Sequence, residues 1–339
     1  MSRTTETPAV SAAPASSAAS AAPGILQSTA RLLSPLSAWQ PKFLLLALVW
    51  GLSFLFIKIG AEALAPMQIA LARMATGVVP LAAVLLLRRG RLPRSPRVWM
   101  HLSVTAFLLN VVPFTLFGYA GHMIPSALSG ICNAATPLFA LVFSLLMLSD
   151  ERPTPGRLIG LATGFLGVLV VFGVWTGFAG ATATGMLLAV GATVCYGIGN
   201  PYLRRNLTGT GHSTLELATA QLLTGTAQLM IVTPLATDAP TTLPWRVVLS
   251  MVALGALGTG LAYVLQYAVI TEAGATVAST VTYVIPIVAV SAGVLLGESL
   301  AWNHPVGAAI ILIGAALSHG MLRLPRRRTT VPPAQSSRS

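Results

Sequence analysis

The chain has 339 residues, of which 55% are hydrophobic and 8% are charged, with a mean hydropathy of +0.79 and a formal net charge of +12. Soluble domains carry about 25% charged residues, so this composition excludes a soluble enzyme, a secreted domain and a disordered regulator. The basic residues lie in short clusters between apolar runs, which is typical of a multi-pass membrane protein and not of a protein that binds nucleic acid.

Residues 1–40 are predicted to form a disordered cytoplasmic tail. Ala, Ser and Pro dominate residues 1–24, and a segment without large apolar residues cannot bury enough surface to fold. No apolar core follows Arg3 closely, as it would in a signal peptide. Leucines around Arg31 recur at roughly helical spacing, so residues 25–36 are either a short interfacial helix or more of the tail.

Ten apolar runs follow, each close to the roughly 20 residues that a helix needs to cross a bilayer. Because the bilayer core offers no water to unpaired backbone groups, helices are the simplest architecture. Nine helices would result if one marginal run does not span. The predicted helices cover residues 42–61, 66–87, 98–119, 124–148, 156–175, 184–203, 214–236, 246–270, 275–297 and 302–322.

The distribution of Lys and Arg predicts the orientation, since cytoplasmic loops are enriched in both. With the N-terminus in the cytoplasm, all of the 20 Lys and Arg residues except Lys58, Arg73 and Arg246 fall on the cytoplasmic side. Both termini are then cytoplasmic, which requires an even number of helices and favours ten. Residues 323–339 are predicted to form a basic cytoplasmic tail of a protein in the inner (plasma) membrane.

The two halves of the chain resemble each other at an offset that stays between 146 and 149 residues. The matched pairs are Trp50-Gly51 and Tyr196-Gly197, Lys58 and Arg204, RMATG (73–77) and QLLTG (221–225), Pro137 and Pro286, and Glu151 and Glu298. Each half has five helices, an odd number, so the second half enters the membrane from the opposite side. The predicted fold is all-α, with ten transmembrane helices arranged as two inverted five-helix repeats, residues 41–175 and 182–322.

Four segments carry a family resemblance: LVWGLSFLFIKIG (48–60), IALARMATGVVPL (69–81), NAATPLFALVFSLLMLSDERP (133–153) and VTYVIPIVAVSAGVLLGESL (281–300). In these segments the chain resembles the EamA type of the drug/metabolite transporter superfamily, over about residues 42–323. The resemblance implies two five-helix bundles around a central cavity and transport by alternating access. Characterised relatives move amino acids, small metabolites or drugs, mostly outward.

Two cations lie inside predicted helices, where a charge is costly unless it faces a partner or a wet cavity. Lys58 is in the outer third of the first helix, and Arg73 is about two turns into the second. Both are candidates to attract a carboxylate or phosphate. Alternatively, Lys58 snorkels to the surface beside Glu62, and Arg73 bonds backbone carbonyls.

Polar and aromatic residues at mid-helix depth are the other candidates for substrate binding, unless they only bond helices together. They are Trp50, Asn110, Asn133, Tyr196, Asn200, Gln221, Tyr263, Gln266 and Tyr283. Pro137 and Pro286 interrupt two helices at matched positions and are candidates for gating or for static kinks. Rings, amides and hydroxyls together suit an amphipathic organic solute better than a bare ion.

Acidic residues are absent from the middle of the predicted helices, which disfavours a proton-coupled pump for hydrophobic cations. The five histidines are scattered, and the sequence has no catalytic motif or phosphate-binding loop, which disfavours a membrane enzyme. Cys132 and Cys195 predict neither a disulfide framework nor a zinc site. We therefore expect no catalytic residue, metal or cofactor.

The sequence thus predicts a secondary transporter that exports amino acids or related metabolites. The alternatives are a multidrug or toxic-compound efflux transporter and a non-transport sensor or regulator. The expected partners are a small-molecule solute and the lipid bilayer, without nucleic acid. Gly156, Gly160 and Gly164 form a stripe that serves either packing within the chain or a homodimer.

Overall fold

The computed structural model describes residues 39–176 and 180–322, and in these ranges the regular structure is helical. Nine helices there are long and apolar enough to cross a bilayer, and the tenth is a shorter apolar helix. They are α1 (Trp39–Gly60), α2 (Pro66–Leu87), α3 (Pro96–Met123), α4 (Ser126–Met147), α5 (Pro155–Phe172), α6 (Gly180–Leu207), α7 (Thr214–Ala236), α8 (Trp245–Ala273), α9 (Val277–Leu295) and α10 (Asn303–Ser318). The predicted all-α membrane architecture is confirmed, whereas the predicted tails and residues 25–36 lie outside the described residues.

The helix ends follow from local sequence. α2, α3 and α5 begin with Pro66, Pro96 and Pro155. An N–H group in the first turn of a helix has no helical acceptor, so a proline there costs no hydrogen bond. α7 begins with a reciprocal cap, in which the Ser213 hydroxyl accepts from the Glu216 N–H and the Glu216 carboxylate accepts from the Ser213 N–H. These signals set where α2, α3, α5 and α7 begin.

Four helices depart from α-helical geometry at matched positions of the two repeats. α3 widens into a π-helix over Phe107–Val111, and α8 does so over Ala253–Leu261. α4 breaks between Ser126–Asn133 and Thr136–Met147, and the short helix Ala275–Ser279 leads into Val281–Leu295 of α9. π-helical turns frequently mark functional sites. The matched distortions therefore indicate a candidate functional site in the space between these helices.

Pro137 and Pro286 lie just beyond the two breaks and are both buried. A proline has no N–H to donate to the carbonyl four residues earlier. The carbonyls of Asn133 and Thr282 therefore lack their usual helical partner, and both residues line the central cavity described below.

Contacts between the two five-helix halves occur in mirrored pairs. α1 packs on α8 and α9, and α6 correspondingly packs on α3 and α4. α2 packs on α8 as α7 packs on α3, while α2–α7, α4–α9 and α5–α10 join equivalent helices. This exchange of partners is the pattern of two repeats related by a pseudo-two-fold axis, and it confirms the predicted two-repeat architecture.

α5 and α10 approach each other along glycines. A Cβ atom added to Gly314 would lie 2.3 Å from the backbone nitrogen of Gly164, and one added to Gly160 would lie 2.4 Å from that of Ser318. Gly156, at the end of the same stripe, has open space around it. The central part of the stripe therefore serves packing within the chain.

Replacing Gly314 with alanine should destabilise the protein, because the new methyl group meets backbone atoms of α5 and not a flexible side chain. Overpacking of this kind costs about 1–3 kcal/mol, so we expect a lower melting temperature of the purified protein in detergent. Gly156→Ala is the matched control and should melt at or above the temperature of the unaltered chain. Equal melting of the two variants would contradict the tight α5–α10 contact.

Candidate substrate-binding cavity

A cavity of about 410 Å³ lies between the two repeats. This volume is within the range of pockets that hold small organic molecules. Every helix except α5 and α10 contributes to its lining, so the glycine-packed pair stands outside the cavity. The cavity thus lies where inverted-repeat transporters bind their substrates, at the interface of the repeats.

The lining reaches the helix ends at one face only. We call this the arginine-rich face; it contains the junctions 88–95, 148–154 and 208–213. Leu203, Thr214 and Ile270 line the cavity within about one turn of that face. Toward the opposite, arginine-poor face the lining stops at Phe54 and Phe117, whose rings meet edge to face at 5.2 Å between centroids. The cavity therefore extends toward the arginine-rich face and has an aromatic floor.

The Arg73 guanidinium lines this cavity although its residue is only 8% exposed. Its Nε donates a hydrogen bond to Thr259 Oγ1 at 2.9 Å, and its central carbon lies 3.8 Å from the centroid of the Phe114 ring. Within the described part of the chain, Nη1 and Nη2 have no hydrogen-bond partner. A charge in this setting is held in place by a hydroxyl and a ring, and two of its donor groups remain for a ligand.

The second repeat places Gln221 at the position that matches Arg73. Gln221 Nε2 donates to Asn110 Oδ1 at 2.6 Å, and Asn110 Nδ2 donates to the Tyr263 hydroxyl at 3.0 Å. Asn110 and Thr259 both lie on the π-helical turns, 149 positions apart. Equivalent hydrogen bonds therefore join the two repeats twice, from Arg73 in the first repeat to Thr259 in the second and from Gln221 in the second to Asn110 in the first.

Eight of the predicted substrate-binding residues line the cavity. They are Trp50, Arg73, Asn133, Tyr196, Asn200, Gln221, Tyr263 and Gln266. Some are partly satisfied by local bonds: Asn200 Nδ2 donates to the Tyr196 carbonyl, and Asn133 Oδ1 accepts from the Thr136 hydroxyl.

Three predicted residues lie elsewhere. Asn110 is fully buried behind the lining, where it positions Gln221 and Tyr263. The Tyr283 hydroxyl lies 3.2 Å from His319 Nδ1, away from the lining. Lys58 Nζ donates to the carbonyls of Gly121 and Ile124, at 3.0 and 3.3 Å, instead of facing the cavity.

The alternative in which Lys58 pairs with Glu62 is also not observed. The Glu62 carboxylate instead accepts from Arg246 Nη2 at 2.6 Å. An i,i+4 spacing permits such a pair, but the helix-end carbonyls attract the ammonium in this structure.

Thr259 and Phe114, the two residues that hold Arg73, were not predicted from the sequence. Thr259 lies between Gly258 and Gly260, and a Cβ on nearby Gly255 would lie 2.4 Å from the Arg73 carbonyl oxygen. The glycine-rich run GALGTGL (255–261) was therefore a signal that α8 approaches α2 closely. No comparable signal marks Phe114.

At the arginine-poor face, two charged side chains bind the turn between α3 and α4. Lys58 bonds the carbonyls of Gly121 and Ile124 at the end of α3. The Glu298 carboxylate accepts from the N–H groups of Ser126 and Ala127 at the start of α4, at 2.8 and 2.9 Å. A cation at a helix C-terminus and an anion at an N-terminus both complement the helix dipole. We call Lys58 and Glu298 the α3–α4 clasp.

The repeat equivalents of the clasp residues, Arg204 and Glu151, lie at the arginine-rich face and bind each other. Arg204 Nη1 donates to Glu151 Oε1 at 2.9 Å, and Arg157 Nη1 lies 2.8 Å from Glu151 Oε2. The hydrogen bonds from Arg204 and Arg157 hold the pKa of the Glu151 carboxyl below its usual range. The two faces thus use equivalent charges differently: one pair binds helix ends, and the other forms an ion pair.

Comparison with known proteins agrees with this architecture. The EamA-like transporter family model matches residues 38–173 and 183–319. The uncharacterized inner membrane transporter YedA of Escherichia coli (strain K12) is 26% identical over 298 residues, which are 87% of this chain and 95% of that protein. The uncharacterized transporter YoaV of Bacillus subtilis (strain 168) is 24% identical over 79% of this chain and 91% of its own length.

A third relative, from Salmonella typhimurium, is named a probable amino-acid metabolite efflux pump and is 25% identical over 80% of this chain and 91% of its own length. A solved crystal structure matches with a TM-score of 0.61 at 21% identity, over 85% of this chain and 99% of that one, which shows a shared fold. Because the family model covers both five-helix repeats, this chain belongs to the EamA-like transporter family and is a multi-pass membrane transporter.

Proposed function

We propose that the chain is a secondary transporter that exports small organic solutes, amino acids or related metabolites, by alternating access. The observation that carries this proposal is the cavity between the repeats, which reaches one face and has an aromatic floor toward the other. The name of the Salmonella relative, a probable amino-acid metabolite efflux pump, supports the solute class and the outward direction.

In this proposal the arginine-rich face is cytoplasmic, and so are both termini. The four Arg residues of the junction 88–95 and Arg152 in the junction 148–154 support this orientation, and the name of the E. coli relative supports the inner membrane. The cavity then extends toward the cytoplasm, the side from which an exporter takes its solute.

We further propose that the two faces close in turn by the same charge arrangement. In inverted-repeat transporters the opposite state arises when the repeats exchange conformations. Arg204 and Glu151 then leave each other and bind the ends of α8 and α9, while Lys58 and Glu298 release the α3–α4 turn.

The transport proposal is tested by comparing small molecules inside and outside cells that express the unaltered chain, a blocked variant or an empty vector. Ala218→Trp places an indole in the cavity lining and should abolish export. Leu187→Trp, at a side chain that is 57% exposed on the lipid-facing surface, is the matched control and should export normally. We expect an amino acid or related metabolite to accumulate outside only with the unaltered chain and the control.

Identical external metabolites in all four strains would contradict export. The same strains then separate the alternatives: resistance to toxic compounds that Ala218→Trp abolishes would favour multidrug efflux. A phenotype that depends on residues 1–38 but not on Ala218 would favour a sensor or regulator.

The clasp proposal predicts opposite effects for two equivalent substitutions. Glu298→Gln should weaken closure of the arginine-poor face, because it removes the charge-assisted hydrogen bonds to the start of α4. Glu151→Gln should weaken closure of the other face, because the partly exposed ion pairs that it removes from the observed state contribute only about 0–1 kcal/mol, less than the proposed bonds to the start of α9. Such bonds contribute about 1.5–3 kcal/mol, so the ratio of the two states should change about tenfold or more. The readout is labelling of a single cysteine, Ser53→Cys in a background without Cys132 and Cys195, by a membrane-impermeant maleimide applied from the arginine-poor face.

Labelling should become faster with Glu298→Gln and slower with Glu151→Gln. Arg246→Gln, which removes an ion pair at the same face without touching the clasp, controls for loss of surface charge. A change of the labelling rate in the same direction for both glutamate variants would contradict the proposed exchange.

A further inference from the structure

The geometry points to an anion-binding subsite at Arg73, and we propose that the transported solute carries one carboxylate, bound by Nη1 and Nη2, on an aromatic or apolar body. This inference deepens the proposed function and rests on it for its physiological meaning. It is carried by three features of the cavity: its charge, the free edge of the guanidinium and the inequality of the two repeats.

The first feature is an uncompensated positive charge. Arg73 is more than nine-tenths buried, and none of the ion pairs in the described residues involves it. Among the described residues that line the cavity, it is also the one with a formal charge. A buried cation without an acid partner is unfavourable. Because no acidic side chain among the described residues pairs with Arg73, an anionic ligand in the cavity would be attracted to its charge.

The second feature is the geometry of the guanidinium. Its Nε is engaged by Thr259 Oγ1, and the Phe114 ring covers one face of its plane. What remains toward the cavity is the edge with Nη1 and Nη2, whose parallel N–H groups match the two oxygens of a carboxylate. The hydroxyl and the ring fix this edge in advance, so little side-chain entropy is lost when a ligand binds.

The third feature is the difference between equivalent positions. Gln221 occupies the place of Arg73 in the second repeat and is neutral, so the symmetric frame holds one cation and not two. A single carboxylate neutralises the site, whereas a solute with only a cationic group meets an unpaired like charge. The rings of Trp50, Tyr196 and Tyr263 line the rest of the cavity and suit an aromatic or apolar body.

An α-amino group on the solute is compatible with the site but is not its anchor. Asn133 and Thr282 line the cavity, and Pro137 and Pro286 leave their carbonyls without the usual donor four residues later, so these acceptors suit an ammonium group. Amino acids and simple carboxylates therefore both fit, and amines without a carboxylate do not.

The test uses the purified full chain and three probes of similar shape: 3-phenylpropionate, its neutral amide and phenethylamine. The readouts are the melting temperature and a fluorescence titration, which Trp50 reports from within the cavity. We expect the carboxylate to raise the melting temperature and to bind, and the amide and the amine to do neither. This comparison needs no substitution, so it does not depend on the folding of a variant.

Substitutions then assign the effect to Arg73. Arg73→Gln should weaken carboxylate binding about 100-fold, and Arg73→Lys, which keeps the charge but loses the paired edge, about tenfold. Arg246→Gln, at a cation outside the cavity, should bind as the unaltered chain does. Equal binding of carboxylate and amide, preference for the amine, no binding of the carboxylate, or full binding by Arg73→Gln would each overturn the inference.

Failure of this inference and failure of the proposed function are distinguishable. If cells export a solute that has no anionic group, the transporter proposal stands and the subsite does not. If the carboxylate binds through Arg73 but no solute crosses the membrane, the subsite stands and the transporter proposal falls.

Discussion

The hydrogen bond from Arg73 to Thr259 is the contact around which the centre of the molecule is arranged. A guanidinium at this depth is tolerated only where donors and charge are accommodated, and the structure meets that condition with one hydroxyl, one ring and a cavity. Gly255 lets α8 come close enough to α2, and the π-helical turn brings Thr259 toward Arg73. One cation is thus held by side chains of α3 and α8 at the wall of the cavity.

The two repeats share a backbone plan and differ in chemistry. Interhelical contacts, π-helical turns and helix breaks recur at equivalent positions, yet Arg73 corresponds to neutral Gln221. The clasp residues differ in another way, since Lys58 and Glu298 bind helix ends while Arg204 and Glu151 bind each other. The first difference is fixed in the sequence, whereas the second is a difference in the contacts that equivalent residues make.

The helices and the repeat could be predicted because both leave strong marks in the sequence: runs of apolar residues as long as a bilayer is thick, and motifs at a constant offset. The rotation of each helix about its own axis is less evident from the sequence. Asn110 and Gln221 are both mid-helix amides, but one lies behind the cavity wall and the other in it, because a π-helical turn changes which side of α3 faces inward. Lys58 binds backbone carbonyls. Because every residue has a carbonyl, the side-chain pattern of the sequence could not predict which ones Lys58 would bind.

The π-helical turn in α8 also makes the backbone geometry of this helix a determinant of the cavity lining. Successive residues of a helix are rotated by about 100°, and a wider turn changes where every later side chain points. If residues 253–261 formed an α-helix of the same length, Tyr263 and Gln266 would be rotated away from their present positions in the cavity wall. The lining of the cavity therefore depends on the backbone geometry of α8 as much as on the identity of its side chains, and two relatives with the same side chains but different turn geometry would have different cavity walls.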